Sequence, residues 1–429
     1  MSEPIKTWSS RTGFIMATAG ASVGLGNLWR FPFMAGENGG GLFIFFYLIS
    51  VIAIAFPIMF AELILGQSGG GNAIYTLKKL TKGVKYSFIW KIIGVLSLLI
   101  PMLGIAFYSV VGGWVFDYTA HAIIGDIVET SAEQSQLRFD EMLSDPLRTL
   151  FSYTLFIVAL VFVLLNGVQK GIERSSKILM PILFLFMIFL VIYAIFKSDF
   201  IYALKFLFIP DFSKFSGEII LLAVGQAFFS LTIGVGTLIT YGSYVTDISS
   251  LKKSTLIICG MDTFVALTAG LAIFPFVFDN NLDPAGGPGL IFVTMPAAFG
   301  QMLNGTFLGI IFFILLFCAA FSTGLGTMQP VIAWLSDMKS LTHKTSVWIT
   351  GICTWLLGLG ALFSFNILSD IKPLDFIPLY EGKNIFESFD VTIISVLLPI
   401  NSILISLFVG WVLDKKIISK IGLITKYKF

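Results

Sequence analysis

Residues 19–30 read Ala-Gly-Ala-Ser-Val-Gly-Leu-Gly-Asn-Leu-Trp-Arg, and this stretch lies inside a long apolar segment. It contains Gly20, Gly24, Gly26 and Asn27, and each glycine costs a helix roughly 1 kcal/mol relative to alanine. Backbone that leaves the helix at membrane depth is tolerated only where it is buried in protein or lines a polar cavity, because lipid offers it no hydrogen-bond partner. A broken helix at this depth is therefore typical of a binding site.

The same pattern returns in the second half of the chain. Residues 229–237 read Phe-Ser-Leu-Thr-Ile-Gly-Val-Gly-Thr, again in the middle of an apolar segment. Taken alone, such glycines are equally consistent with a packing seam that lets a neighbouring helix approach closely. Two interrupted spans at corresponding positions of two halves instead indicate an inverted-repeat transporter.

The composition is that of a polytopic membrane protein. Hydrophobic residues make up 56% of the 429 residues and charged residues only 12%, which is too apolar for a soluble domain of this size. A net charge of +2 gives no indication of a nucleic-acid partner. The three cysteines lie in or beside apolar segments and predict no disulfide framework, and the two histidines have no Cys or His companions, so no metal site is predicted from them.

A window of about 20 residues, the length of a spanning helix, identifies ten apolar segments. Most of the 27 basic residues fall on one side of these segments, so the positive-inside rule predicts that both termini are cytoplasmic in a multi-pass protein of the inner (plasma) membrane. The polar stretch 121–148, on the outer side, predicts an amphipathic surface helix. The ten segments are 12–36, 41–67, 88–120, 149–166, 175–196, 217–246, 253–278, 303–335, 345–368 and 387–413.

Few ionisable residues lie within the predicted spans, and each is a candidate functional residue. Glu62 lies in the second span and Asp262 in the seventh. Arg30 follows the first interruption and Asp390 begins the tenth span, both on the outer side. These two residues are suited to a water-accessible ion pair that breaks at little cost, as a gate requires. Two unconnected interfacial charges are an equally good interpretation.

Six short motifs form a highly specific set along the chain. They are Ser-Val-Gly-Leu-Gly-Asn-Leu-Trp-Arg-Phe-Pro at 22–32, Glu-Asn-Gly-Gly-Gly at 37–41, Gln-Ala-Phe-Phe-Ser-Leu at 226–231, Tyr-Gly-Ser-Tyr at 241–244, Gly-Thr-Phe-Leu-Gly at 305–309 and Met-Gln-Pro at 328–330. The set resembles the neurotransmitter:sodium symporter family from about Trp8 to Trp411. The similarity is closest to its bacterial amino-acid members, which include leucine and tyrosine transporters.

The resemblance implies an all-α membrane protein built from two five-helix repeats of opposite topology, with spans 1 and 6 unwound at their centres. The first repeat would comprise 1–200, the inverted second repeat 201–415, and residues 416–429 a basic cytoplasmic tail. The implied function is sodium-coupled symport of an amino acid by alternating access. An enzyme is not expected, since the sequence presents no nucleophile–base pair or metal cluster.

The resemblance also implies a substrate site at the two interruptions. An amino-acid zwitterion needs hydrogen-bond donors for its carboxylate, which backbone amides at the end of a half-helix and a tyrosine hydroxyl supply. It also needs acceptors for its ammonium group, which carbonyls released from the helix supply. The residues implied to contact the substrate are Ser22, Leu25, Gly26, Gly104, Tyr108, Phe229, Ser230, Thr232, Val235 and Thr327.

Two sodium ions are implied. The first ion would be bound by Ser22, Asn27, Ser230 and Asp262 together with the substrate carboxylate, so that ion and substrate binding depend on each other. The second ion would join span 1 to span 8. Without the resemblance, hydroxyls in span 8 would more often be interpreted as helix-packing groups than as ligands. The residues implied for the second ion are Gly20, Val23, Ala319, Ser322 and Thr323.

Gates on both sides of the site are implied as well, with Glu62 and Gln226 as buried supports. The arginine that the family carries three residues before the first tryptophan is Ile5 here, and Lys6 is predicted to substitute for it. The outer gate would consist of Arg30, Asp390, Tyr108 and Phe229, and the inner gate of Trp8, Lys6, Ser243, Tyr244 and Asp337.

The side-chain pocket departs from the bacterial relatives that transport leucine. Gly104 stands where they have valine, Val235 where they have phenylalanine, and Thr327 where they have isoleucine. These changes predict a larger and more polar pocket, which suits an aromatic amino acid. We expect tyrosine, with tryptophan and phenylalanine close behind.

Position 262 also departs from the same relatives, which have asparagine there and a glutamate one turn later, where this chain has Ala266. Animal members bind chloride near this point to balance the sodium charge. The hypothesis that follows is that Asp262 supplies the negative charge itself and makes transport chloride-independent.

Three alternatives stay open. The first is a symporter of hydrophobic amino acids in general. The second is a proton-coupled permease on the same fold, which would lack Asn27 and the Ser322-Thr323 pair. The third is an amino-acid sensor that binds without translocating, against which the presence of gate residues argues.

Overall fold

The computed structural model describes residues 7–126, 131–247, 250–280, 282, 289–302, 304–338 and 341–413. Nearly all of these residues are helical. Lys6 and the predicted tail, 416–429, lie outside the described residues.

Within these described ranges, eight helices are long and apolar enough to cross a membrane. Spans 2, 3, 4, 5, 7, 8, 9 and 10 are, in this order, Gly41–Gly69, Ser87–Ile124, Pro146–Leu164, Val168–Lys197, Leu251–Asp279, Gly305–Ser336, His343–Phe363 and Ile385–Val412.

Spans 1 and 6 are the two that the sequence predicts to be interrupted, and each consists of two shorter helices. Span 1 contains Arg11–Ser22 and, after a break, a π-helical turn that continues into Phe31–Glu37. Span 6 contains Gly217–Ser230 and Thr237–Ser243. The all-helical fold with discontinuous spans 1 and 6 is therefore confirmed.

Span 5 begins earlier than the sequence predicts, at Val168 instead of residue 175. Gly167 turns the chain with φ of 75°, and a π-helical segment, Val168–Glu173, then leads directly into the helix. A Cβ on Gly171 would lie 2.4 Å from the carbonyl oxygen of Val163, so a glycine permits this close approach. The span was predicted to begin later because the polar residues of this segment are typical of a loop.

Among the eight long helices of the described residues, span 8 is the most buried, with 78% of its most apolar 18 residues buried, compared with 28% for span 5. It packs along span 3 and also contacts spans 1, 5 and 9. Because it lies against span 1, its side chains reach the first interruption. The inner half of span 6 packs against span 2, which places span 2 beside the second interruption.

The outer surface carries the predicted surface helix, Ala132–Ser144, whose first turn is capped by the Ser131 hydroxyl accepting from the Gln134 amide at 3.1 Å. Beneath it lies a short buried apolar helix, 290–300. The rings of Phe139 and Phe292 stack between the two elements with centroids 5.4 Å apart. These contacts cover the outer end of the bundle.

Candidate functional site

The break in span 1 is short. The helix ends at Ser22 and helical backbone resumes at Gly26. The side-chain oxygen of Asn27 accepts a hydrogen bond from the Gly24 amide at 3.2 Å and so caps the break. Within the described chain, the amides of Leu25 and Gly26 donate to no backbone carbonyl. These two amides remain available to an anionic group, since peptide dipoles favour negative charge at the start of a helix.

The break in span 6 is longer and more contorted. Thr232, Gly234 and Gly236 have positive φ angles of 55°, 78° and 92°. Such a conformation is ordinary for glycine but strained for threonine, which persists there only where its surroundings hold it. The Thr232 hydroxyl donates to the carbonyl of Ala21 at 3.1 Å. This bond ties the two breaks to each other.

Two spans support the span 6 break from outside. A carboxylate oxygen of Glu62 accepts from the Gly234 amide at 2.6 Å, and the Asn401 side-chain amide donates to the Gly234 carbonyl at 2.7 Å and to the Ser97 hydroxyl at 3.2 Å. Gln226 supports the other break by donating to the Gly26 carbonyl at 2.8 Å. Asn401 was not predicted from the sequence, although an amide within an apolar span is a signal that could have revealed it.

Asn27, Ser230 and Asp262 form a polar cluster at the meeting point of spans 1, 6 and 7. The Asn27 amide nitrogen donates to the Ser230 hydroxyl and to a carboxylate oxygen of Asp262, both at 2.9 Å. The Ser230 hydroxyl donates to the other carboxylate oxygen at 2.6 Å. The sequence analysis also missed Tyr47, whose hydroxyl lies 3.4 Å from that of Ser230.

Asp262 has no basic partner among the residues that the structure describes. The residue is fully buried, and none of the ion pairs found in the described ranges involves it. A buried carboxylate is costly unless a cation or a proton balances it. The cluster therefore has the oxygen ligands and the uncompensated charge that a small hard cation requires.

A second group of oxygen atoms lies between spans 1 and 8. The Thr323 hydroxyl lies 3.4 Å from the Gly20 carbonyl oxygen, to which it donates. A Cβ on Gly24 would lie 2.3 Å from that hydroxyl, so only glycine allows this approach. The Ser322 hydroxyl donates to the Ala319 carbonyl at 3.1 Å. Gly20, Ala319, Ser322 and Thr323 are four of the five residues predicted for the second ion, and Val23 is the first residue outside the helix of span 1.

A largely apolar cavity lies between the two breaks. Gly104 lines this cavity, and a Cβ at this position would meet no atom within 4 Å. The Tyr108 hydroxyl lies beside the Leu25 amide. Leu25 and Ser230 are not among the wall residues. The predicted substrate residues that line the cavity are Ser22, Gly26, Gly104, Tyr108, Phe229, Thr232, Val235 and Thr327.

The outer side of the cavity is covered by an aromatic ring. The Phe229 ring packs on Gly26, where a Cβ would lie 2.9 Å from two ring atoms. The guanidinium carbon of Arg30 lies 5.2 Å from the centroid of the same ring, a cation–π distance. None of the ion pairs among the described residues joins Arg30 to Asp390, although Asp390 lies near enough to attract it electrostatically. The side chains that cover this side of the cavity are thus the Phe229 ring and the Arg30 guanidinium that lies against it.

The inner side is closed by Trp8. Its ring lies edge-on to Tyr241 and Tyr244, with centroids 5.0 and 5.9 Å apart, and its indole nitrogen donates to the Tyr241 carbonyl at 3.0 Å. The Tyr244 hydroxyl accepts from the Gln329 side chain at 3.0 Å. The tryptophan therefore blocks the end of span 6 that follows the second break.

Ser243 and Asp337, the other described residues of the predicted inner gate, lie beside Tyr244. Asp337 accepts from the Asn72 side chain at 2.6 Å, a contact that the sequence analysis missed. The Ser243 hydroxyl instead donates to the Thr240 carbonyl within its own helix. Glu173 of span 5 anchors the N-terminal segment by accepting from the Ser9 amide at 2.9 Å.

Ten spans, two of them broken around a central cavity with oxygen-rich sites beside it, define a secondary transporter. The family model for the sodium:neurotransmitter symporter family matches residues 5–138 and 133–368. The chain belongs to this family, as predicted, and is a sodium-dependent membrane transporter and not an enzyme.

Similar proteins cover almost the whole chain. An uncharacterized sodium-dependent transporter of Bacillus subtilis, YhdH, is 36% identical over 95% of this chain and 88% of its own. An uncharacterized sodium-dependent transporter of Haemophilus influenzae is 34% identical over 95% of this chain and 89% of its own. The crystal structure of MhsT in complex with L-phenylalanine matches with a TM-score of 0.90 and 37% identity, over 100% of this chain and 94% of that one.

Proposed function

We propose that the protein uses the sodium gradient to import an aromatic amino acid, with L-tyrosine as the preferred substrate, by alternating access. The observation that carries this proposal is the cavity between the two breaks, where Gly104 leaves open space. The similar structure of MhsT holds L-phenylalanine, which supports an aromatic ligand in this fold.

The cavity presents complementary groups to each part of a tyrosine. The amides of Leu25 and Gly26, with the Tyr108 hydroxyl, receive the carboxylate. Carbonyl oxygens released by the span 6 break, and that of Ser22, receive the ammonium group. Thr327 donates its own proton to the Thr323 carbonyl at 2.9 Å, so its oxygen is free to accept a hydrogen bond from the phenol.

Two sodium ions drive the substrate inward. The first is bound by Ser22, Asn27, Ser230 and Asp262 together with the substrate carboxylate, and the second by the oxygens between spans 1 and 8. Because the zwitterion is neutral, each turnover moves two charges, and each charge crossing 100 mV contributes about 2.3 kcal/mol. The shared carboxylate makes sodium and substrate binding reciprocal.

Asp262 makes the cycle independent of chloride. Its carboxylate is buried and lacks a basic partner within the described part of the chain, so it provides the negative charge that otherwise has to come from a bound anion. Protonation of the same carboxylate during the return of the empty carrier would give proton antiport.

The topology proposed with this function has the first repeat in residues 1–200 and the inverted repeat in 201–415. Both termini, including the basic tail 416–429, face the cytoplasm from the inner (plasma) membrane, and Lys6 completes the inner gate. The excess of basic residues on that side supports this orientation.

The apolar walls of the cavity also support a broader candidate, symport of hydrophobic amino acids in general. Ile100 and Phe107 of span 3 line the cavity beside Gly104, and neither requires a phenol. The two candidates differ only in how strongly tyrosine is preferred over leucine.

The test is uptake of radiolabelled tyrosine into proteoliposomes, with sodium replaced by potassium and chloride by gluconate in parallel. Accumulation that requires sodium and ignores chloride supports the proposal. Accumulation without sodium overturns the ion assignments in favour of a proton-coupled permease. Binding without accumulation identifies a sensor instead, and equal uptake of leucine favours the broader symporter.

A further inference from the structure

Span 10 contributes an unassigned wall to the cavity. Ile393 and Leu398 line the same space as Gly104, and both are buried, at 3% and 1% exposure. They therefore face protein and not lipid. Span 10 carries the gate residue Asp390 one turn earlier, but no substrate contact was predicted from it.

The missing side chain at position 104 leaves open space in the cavity that Ile393 and Leu398 also line. Two other glycines of span 3 do the opposite, since a Cβ on Gly112 would lie 2.4 Å from the Phe156 ring and one on Gly113 would lie 2.8 Å from backbone atoms of Tyr153. Gly104 alone of these three has no atom within 4 Å of its Cβ position. It therefore serves as a passage and not as a packing contact.

Span 10 is also held in register with the opposite wall. A Cβ on Gly234 would lie 2.8 Å from the Leu398 carbonyl oxygen, and Asn401 donates to the Gly234 carbonyl at 2.7 Å. Val235, the next residue, is itself a wall of the cavity. The contacts of Leu398 and Asn401 with Gly234 therefore fix the position of Leu398 relative to Val235.

We propose that Ile393 and Leu398 form the far end of the side-chain pocket, reached past Gly104, and set the longest side chain that the transporter accepts. The inference rests on the proposed amino-acid function. An apolar end wall discriminates by length, because each methylene that fits or clashes changes binding about tenfold or more.

The test is sodium-dependent binding of leucine, tyrosine and tryptophan to purified protein in nanodiscs. Leu398→Phe shortens the pocket and is expected to lower the tryptophan-to-leucine affinity ratio about tenfold. Ile393→Ala lengthens it and is expected to raise the ratio several-fold. The matched control is Ile400→Phe, on the same span with 45% exposure, which should leave the ratio unchanged.

The two variants change the tryptophan-to-leucine ratio in opposite directions only if these residues end the pocket. General damage to the protein would lower the affinity for both amino acids and leave their ratio unchanged. Ratios equal to wild type, or shifts in one direction for both variants, overturn the inference while leaving the proposed function intact. If Leu398→Phe does not fold, the direction of the Ile393→Ala shift decides. Failure of the wild-type protein to bind any of the three amino acids overturns the proposed function and the inference with it.

Discussion

The breaks in spans 1 and 6 meet at the same cavity but are held in different ways. Span 1 leaves the helix for residues 23–25, none of which has a positive φ, and its own Asn27 caps the break. Span 6 leaves it for residues 231–236, with three positive φ angles, and depends on Glu62 and Asn401 from other spans.

This difference separates two tasks. Asn27, which caps the span 1 break, also belongs to the polar cluster with Asp262, so we expect the geometry of this break to be tied to cation binding. The span 6 break is shaped by spans 2 and 10 and carries the pocket wall Val235. Damage at the first break should therefore alter the sodium requirement, and damage at the second should alter substrate affinity.

The largest effect is expected from Asn27→Ala. The change removes the cap on Gly24 and the donor to Ser230 and Asp262, and loss of one member of a buried polar group is strongly destabilising. Tyrosine uptake should fall about 100-fold, with a higher sodium concentration for half-maximal uptake. Asn166→Ala, at the exposed inner end of span 4, is the control, and equal effects of the two changes would contradict the comparison.

Asp262→Ser should have the next largest effect. Without the carboxylate, the first sodium ion lacks its balancing charge, so uptake in gluconate medium should fall about 30-fold. Chloride should restore part of it, whereas wild-type uptake should be the same in both media. Unchanged uptake by the variant, indifferent to chloride, would disprove the charge-balance hypothesis.

At the second break, Glu62→Leu removes the acceptor of the Gly234 amide and leaves a buried donor unpaired, which should weaken tyrosine binding about tenfold. Glu62→Gln keeps an acceptor oxygen and should stay within about threefold of wild type. The sodium dependence of binding should change little in either variant. Similar losses in both would show that the charge of Glu62 matters and not its hydrogen bond.

Gly104→Val should have the smallest effect and the most selective one. The added side chain fills the space beside span 3, so tyrosine uptake should fall about fivefold more than leucine uptake. The control is Gly260→Val in span 7, where a Cβ also meets no atom within 4 Å but which does not line the cavity. Equal losses of tyrosine and leucine uptake would contradict the pocket assignment.

The interrupted spans could be predicted from the sequence because glycine and asparagine weaken a helix at their own positions, whatever lies around them. The supports of the second break could not, because Glu62 and Asn401 act on a glycine more than 160 residues away in the chain. The start of span 5 was missed since a π-helical turn with Gln169 and Lys170 has the composition of a loop. The residues of the outer gate were predicted from the sequence. The packing of Arg30 on the Phe229 ring was not, because it depends on the three-dimensional arrangement of spans 1 and 6.

The most direct measurement is the binding of radiolabelled tyrosine to the purified protein as a function of sodium concentration at constant ionic strength. If two sodium ions and the amino acid share one site at the breaks, binding should require sodium and rise with a Hill coefficient approaching about 2. Binding of equal affinity in potassium alone would contradict the assignment of Asn27, Asp262 and Thr323 as sodium ligands.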